Sequence, residues 1–240
     1  MHLQHATLFR LAFIPGTVPI RLSGWICPLG AKVILALLFV GGCSRGPKSF
    51  APEIDPYAAA VAAVAQYDAN GDGLISGLEL DKAASLKSNL DKIDSDGDKA
   101  LSADEIAARI RYWQKTKQLR TRTPIRCMVF HNKDILLDAD VKLLPEKFLG
   151  DRMKIAKGKT GFNGVAVLNA ENPDPGDPPG VGPGFYRVEI TKTGEEIPAK
   201  YNTETILGID TSMDNPDMYK GVRFLLEYEI PKKGQKKGLR

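Results

Sequence analysis

Two stretches of the chain set oxygen-bearing side chains at every second position. Residues 68–79 read DANGDGLISGLE and residues 94–105 read DSDGDKALSADE. In the first, Asp68, Asn70, Asp72 and Ser76 carry the oxygens and Glu79 closes the series. In the second, Asp94, Asp96, Asp98 and Ser102 do the same, and Glu105 closes it. Side-chain oxygens at this density suit a hard cation such as calcium, which takes about six to eight oxygens. The plainer reading is an acidic surface turn, because Asp, Asn and Gly favour turns for local reasons. Two near-complete copies in tandem argue against it.

The spacing resembles the EF-hand calcium loop, D-x-[DN]-x-[DN]-G-x5-E. The resemblance implies a role for each position. Asp68, Asn70 and Asp72 supply side-chain oxygens, Leu74 a backbone carbonyl, Ser76 a contact through water, and Glu79 both carboxylate oxygens. Gly73 falls at the sixth position, where the chain turns sharply and a residue without Cβ is favoured. The matching residues of the second loop are Asp94, Asp96, Asp98, Ala100 (carbonyl), Ser102 and Glu105. Ile75 and Leu101, the eighth residues, are expected to pair the two loops. The second loop departs from the pattern, because Lys99 and not glycine holds its sixth position. A left-handed conformation there costs about 1–2 kcal/mol, or roughly five- to thirty-fold in affinity. Its ammonium also lies near a site that favours negative charge. Against this, the second loop has one more ligand carboxylate than the first. Two Ca2+ sites are expected, the second weakened by Lys99.

Such loops need helices to hold them. Pro56 suits a first helical position, with Asp55 as its N-cap. The alanine-rich segment 57–67 is strongly helix-favouring and enters the first loop. Residues 77–84 leave that loop as a short helix, and 85–93 enter the second. Ser102 caps the last helix, with Glu105 three places on in capping-box spacing. That helix is expected over 103–117. Ile106, Ile110 and Trp113 mark its buried face by their three-to-four spacing, and Trp113 is core rather than a ligand platform. Dockerin modules also carry tandem loops of this kind but usually lack entering helices.

The period changes after the basic connector 115–124. From Ile125 onward the chain has short β-like runs broken by Gly, Pro and Asn turns. Strands are expected at 125–131, 135–144, 153–156, 165–169, 186–191, 205–210 and 222–230. Successive strands without helices between them predict a β-sandwich. In YRVEITK, Tyr186, Val188 and Ile190 face one way and Arg187 and Glu189 the other. The stretch 171–184 is too rich in Pro and Gly to be regular and is expected as an exposed excursion.

The N-terminus has the features of a targeting segment. The apolar run 33–40 follows Lys32 and is too short to span a bilayer, which needs about 20 residues. It ends in VGGC, which resembles a bacterial lipobox. The resemblance implies cleavage before Cys43 and lipidation of Cys43. An ordinary secretion signal with Cys43 incidental, or a membrane-inserted anchor, are the alternatives. With Cys27 removed and Cys43 lipidated, Cys127 remains alone, so no internal disulfide forms.

At 240 residues, 43% hydrophobic and 26% charged, the composition is that of an ordinary globular protein. The net charge of +4 is weak. No zinc-finger spacing, RNA-binding aromatic motif or basic helix points to nucleic acid. Nothing points to an enzyme. His131 and Cys127 lie four apart in one expected strand, about 13 Å at ~3.3 Å per residue, beyond nucleophile–base reach.

Residues 124–230 resemble the carboxypeptidase-regulatory-like (transthyretin-like) domain. The matching features are Ala139 and Val141 in one strand, the turn from Thr160 to Gly164, and Gly184, Tyr186 and Val188 in another. Export signal, paired loops, β-domain and the segment GFYRVEITKTGEEIPAKYN together resemble a group of bacterial exported EF-hand proteins. That likeness implies calcium binding and an envelope location, periplasmic or exterior. It implies no known activity.

The expected architecture is therefore α+β: an N-terminal helical EF-hand pair followed by a C-terminal antiparallel β-sandwich. Its segments are a leader over 1–43, a linker over 44–54, the EF-hand pair over 55–118, a connector over 119–123, the β-sandwich over 124–230 and a basic tail over 231–240. Period and composition change together near Thr121, so the two halves are expected to be independent modules. The expected function is that of a calcium-binding envelope protein, lipid-anchored at Cys43, whose β-domain binds an envelope protein or glycan or attaches structurally. A calcium sensor and an adhesive, glycan-binding module are the alternatives.

Overall fold

The computed structural model describes residues 53–229. The leader, Cys43, most of the 44–54 linker and the basic tail lie outside the described residues. Helix α1 (Pro56–Tyr67) starts where Asp55 accepts the Tyr57 and Ala58 N–H groups, at 2.9 and 3.0 Å. Its alanines favour the helix and leave a smooth face, on which Ala59, Ala60 and Ala63 are buried. There follow β1 (Leu74–Ser76), α2 (Gly77–Lys82), α3 (Ala84–Lys87), α4 (Leu90–Ile93), β2 (Ala100–Ser102) and α5 (Ala103–Lys115). The segment 85–93 is divided between α3 and α4. At the break, the Asn89 amide donates to the Ser85 carbonyl at 3.0 Å and to Ser88 Oγ at 2.9 Å. Local polar side chains of this kind compete with a continuous helix.

The second half holds β3 (Ile125–His131), β4 (Asp134–Ile135), β5 (Ala139–Pro145), β6 (Ala156–Lys159), β7 (Val165–Ala170), β8 (Phe185–Lys192), β9 (Gly208–Asp210), α6 (Asp217–Lys220) and β10 (Val222–Leu226). The chain is thus of mixed helix and sheet. The expected sandwich of two packed sheets is instead one eight-stranded sheet, curled into a half-barrel. Its order is β10-β3-β7-β6-β5-β8-β9, with β4 paired to β3. The corner is β7. Its residues 165–168 pair with β3, and its last two residues pair with β6. One strand thus serves both halves of the ladder, so the sheet bends where a sandwich would separate. The sheet is antiparallel except for β10, which runs parallel to β3 after a crossover through α6.

Local chemistry explains several strand ends. The Thr160 hydroxyl donates to the Leu136 carbonyl and accepts the Ala139 N–H, both at 2.8 Å. This ties the start of β5 to the turn after β6. The excursion 171–184 is exposed at its tip but fastened at its base. Arg122 meets Asp177 at 2.7 Å, and Thr123 and Val181 exchange backbone hydrogen bonds.

The halves are not independent. Helices and sheet share one hydrophobic core within one compact unit. Trp113 of α5 packs on Phe185 of β8 with ring centroids 4.7 Å apart. Helix α3 lies so close to β9 that a Cβ on Gly208 would fall 2.3 Å from the Ala84 carbonyl oxygen. A change of period near Thr121 marks a change of secondary structure and not a domain boundary.

Candidate metal centre

The first oxygen-rich loop turns back on itself through its own acids. Asp68 accepts the Gly71 N–H at 2.6 Å and the Gly73 N–H at 2.9 Å, one on each carboxylate oxygen. Asn70 Oδ1 accepts the Asp72 N–H at 2.8 Å, and Asp72 Oδ1 accepts the Leu74 N–H at 2.9 Å. Glu79 is buried and spans the loop. Its Oε1 accepts the Ala69 and Asn70 N–H groups, and its Oε2 accepts that of Ser76.

The second loop repeats this set except for the bond from the third residue to the closing glutamate. Asp94 accepts the Gly97 N–H at 2.6 Å and the Lys99 N–H at 3.0 Å. Asp96 accepts from Asp98, and Asp98 from Ala100. Glu105 accepts the Ser95 and Ser102 N–H groups at 2.8 and 3.0 Å. Ser102 and Glu105 form the expected capping box at the start of α5. Lys99 adopts φ 65°, beside φ 85° for Gly73. The left-handed turn is therefore made in both loops, with a non-glycine residue in the second. The loops meet through β1 and β2, where Ile75 pairs with Leu101 and both are fully buried.

In the second loop, the spacing of three acids would suit a hard divalent cation. Asp94, Asp96 and Asp98 each offer a carboxylate oxygen, and these lie within 4.8 Å of one another. A hydrogen bond uses one lone pair of a carboxylate oxygen and leaves others for an ion. The Asp98 N–H draws the Asp96 carboxyl down. Desolvation and repulsion from Asp98, Glu105 and Asp94 outweigh it, and the carboxyl lies above its ordinary range. Desolvation pushes Glu105 up, but hydrogen bonds from Ser102 and Ser95 prevail and hold it below the usual range.

Two buried polar clusters beside the loops have no motif in the sequence. Glu146, which follows β5, is 1% exposed. It accepts the Tyr67 hydroxyl at 2.8 Å and the Ser85 hydroxyl at 2.6 Å. Burial first, and then Glu146, push the Tyr67 phenol well above its ordinary range. The second cluster centres on Arg109 of α5. It donates to Asp210 at 2.6 and 3.0 Å, to Asp214 at 2.7 and 2.9 Å, and to Ser212 at 2.7 Å. Arg109 had a legible signal. It falls on the stripe of Ile106, Ile110 and Trp113, where a charge needs a buried partner. Glu146 and Asp210 have none, since their partners lie far away in sequence.

Cys127 and His131 lie in β3 with separate surroundings. Burial pushes the Cys127 thiol up to about 12. The His131 ring stacks on Tyr228 and donates from Nε2 to the Tyr228 carbonyl at 2.7 Å.

Comparison of the chain with protein-family models, curated proteins and solved structures finds no match.

Proposed function

We propose that this is a calcium-binding protein with two EF-hand sites and no catalytic role. The observation that carries the reading is the repetition of one hydrogen-bond set in two loops, each closed by a glutamate. The first site is held by Asp68, Asn70, Asp72, the Leu74 carbonyl, Ser76 and Glu79. The second is held by Asp94, Asp96, Asp98, the Ala100 carbonyl, Ser102 and Glu105. The ion supplies positive charge among crowded acids, and the chain orients them through its backbone N–H groups. The buried links to the sheet favour a structural role for the ion over that of a sensor, which needs helices free to open.

Export with lipidation at Cys43 belongs to the same proposal, supported by the apolar run and VGGC. The sheet then serves as the part that meets an envelope protein or glycan. Two experiments test these readings. Calcium at about a hundred times its Kd stabilises a folded state by roughly 2.7 kcal/mol. The melt is therefore expected about 5–10 °C higher in calcium than in chelator, and an unchanged melt overturns calcium binding. Labelled palmitate is expected on the parent and not on Cys43→Ser, and equal labelling of both removes the anchor.

A further inference from the structure

Each of the two loops has a buried polar link to the sheet beside it, and the links sit where they fix the loop's ends. Tyr67 is the last residue of α1 and directly precedes Asp68, the first acid of loop one. Ser85 lies on α3, just beyond α2, which carries Glu79, the last acid. Both hydroxyls donate to the one carboxylate of Glu146, which is 1% exposed. A single residue of the β-half thus holds both arms of loop one.

Loop two is held in a parallel way. Its last acid, Glu105, opens α5, and Arg109 sits one turn further along the same helix. Arg109 is fixed by Asp210 of β9 and by Ser212 and Asp214 just after it. On the other side, α3 rests on β9 at Gly208, and α4 leads from there into Asp94. The exit arm of loop two therefore bears on β9 directly, and its entering arm bears on it through α3.

We propose that the sheet sets the calcium affinity of the two loops separately, with Glu146 as positioning residue for the first and Asp210 for the second. This rests on the calcium reading above. A metal site binds tightly when its ligands are held in place before the ion arrives. Glu146 and Asp210 are not ligands; they act through Tyr67, Ser85 and Arg109. Removing a link leaves a buried polar group with a weakened partner and lets one arm drift.

The test is calorimetric titration of CaCl2 into the full chain in two backgrounds. Glu105→Gln isolates the first site and Glu79→Gln the second. Glu146→Gln is expected to weaken the first site about tenfold, a typical coupling, and to leave the second within about twofold, as for independent sites. Asp210→Asn is expected to do the reverse. Ser85→Ala and Ser212→Ala remove one hydrogen bond each and serve if either variant fails to fold. Unchanged affinities with a lowered melt would make the links merely structural and overturn the proposal. Equal weakening of both sites would mean general loosening and overturn it too. No binding by the parent protein would overturn the calcium reading, and this proposal with it.

Discussion

Lys99 is the residue on which the second loop turns. Its φ of 65° lies in a region that costs a side chain with Cβ about 1–2 kcal/mol. Lys99→Gly removes that strain and also an ammonium from the loop. Second-site affinity is expected to rise roughly five- to thirty-fold, as measured by calorimetry in Glu79→Gln. A fall, or no change, would mean that neither strain nor charge limits the site. Cys127 gives a second check at this scale. With its thiol pushed up to about 12 by burial, it is expected to resist alkylation at pH 8 until the protein unfolds. Labelling at the rate of a free thiol would contradict the packing of β3. The acids of both loops and the Ser102–Glu105 cap were legible in the sequence because their geometry is local. Glu146 was not, because nothing near it in sequence says that Tyr67 and Ser85 will arrive.

At the scale of elements, α3 on β9 and α5 on the segment after β9 hold the halves together. Gly208→Ala places a Cβ against the Ala84 backbone, which has no flexible side chain to yield. Overpacking of this kind costs about 1–3 kcal/mol, and a lowered urea midpoint is the expected reading. The Arg109 link adds a pH dependence. Desolvation raises the Asp214 carboxyl, but hydrogen bonds from Arg109 and Ser212 outweigh it and hold it below its ordinary value. A lowered folded value means that stability is complete above the unfolded carboxylate range, about 3.9. It is lost as pH falls through the folded value. Asp214→Asn is expected to flatten the acid limb of melts taken in chelator, and an identical limb would contradict the link. Glu105 acts in the same direction, and Asp96 in the opposite one. The strands at 125–131, 165–169 and 186–191 were legible, because alternation and Gly-bounded runs are short-range signals. The run expected at 153–156 instead forms its strand at Ala156–Lys159, and the one at 135–144 is divided between β4 and β5. The single curled sheet was not legible. Strand order depends on β7 bending between β3 and β6, and no local pattern records that.

At the scale of the molecule, helices and sheet share one hydrophobic core. Heating is therefore expected to give a single transition reported alike by Trp113 fluorescence and by far-ultraviolet dichroism. Two separate transitions would restore the independent modules that the change of period suggests. The same continuity would let an ion bound in the loops stabilise strands that do not touch it. The most direct test is calorimetric titration of calcium into the full chain, with Glu79→Gln and Glu105→Gln beside it. Two sites are expected, each lost with its own glutamate. One site lost with Glu79 alone would make the second loop a bystander, and no binding at millimolar calcium would contradict the calcium reading altogether.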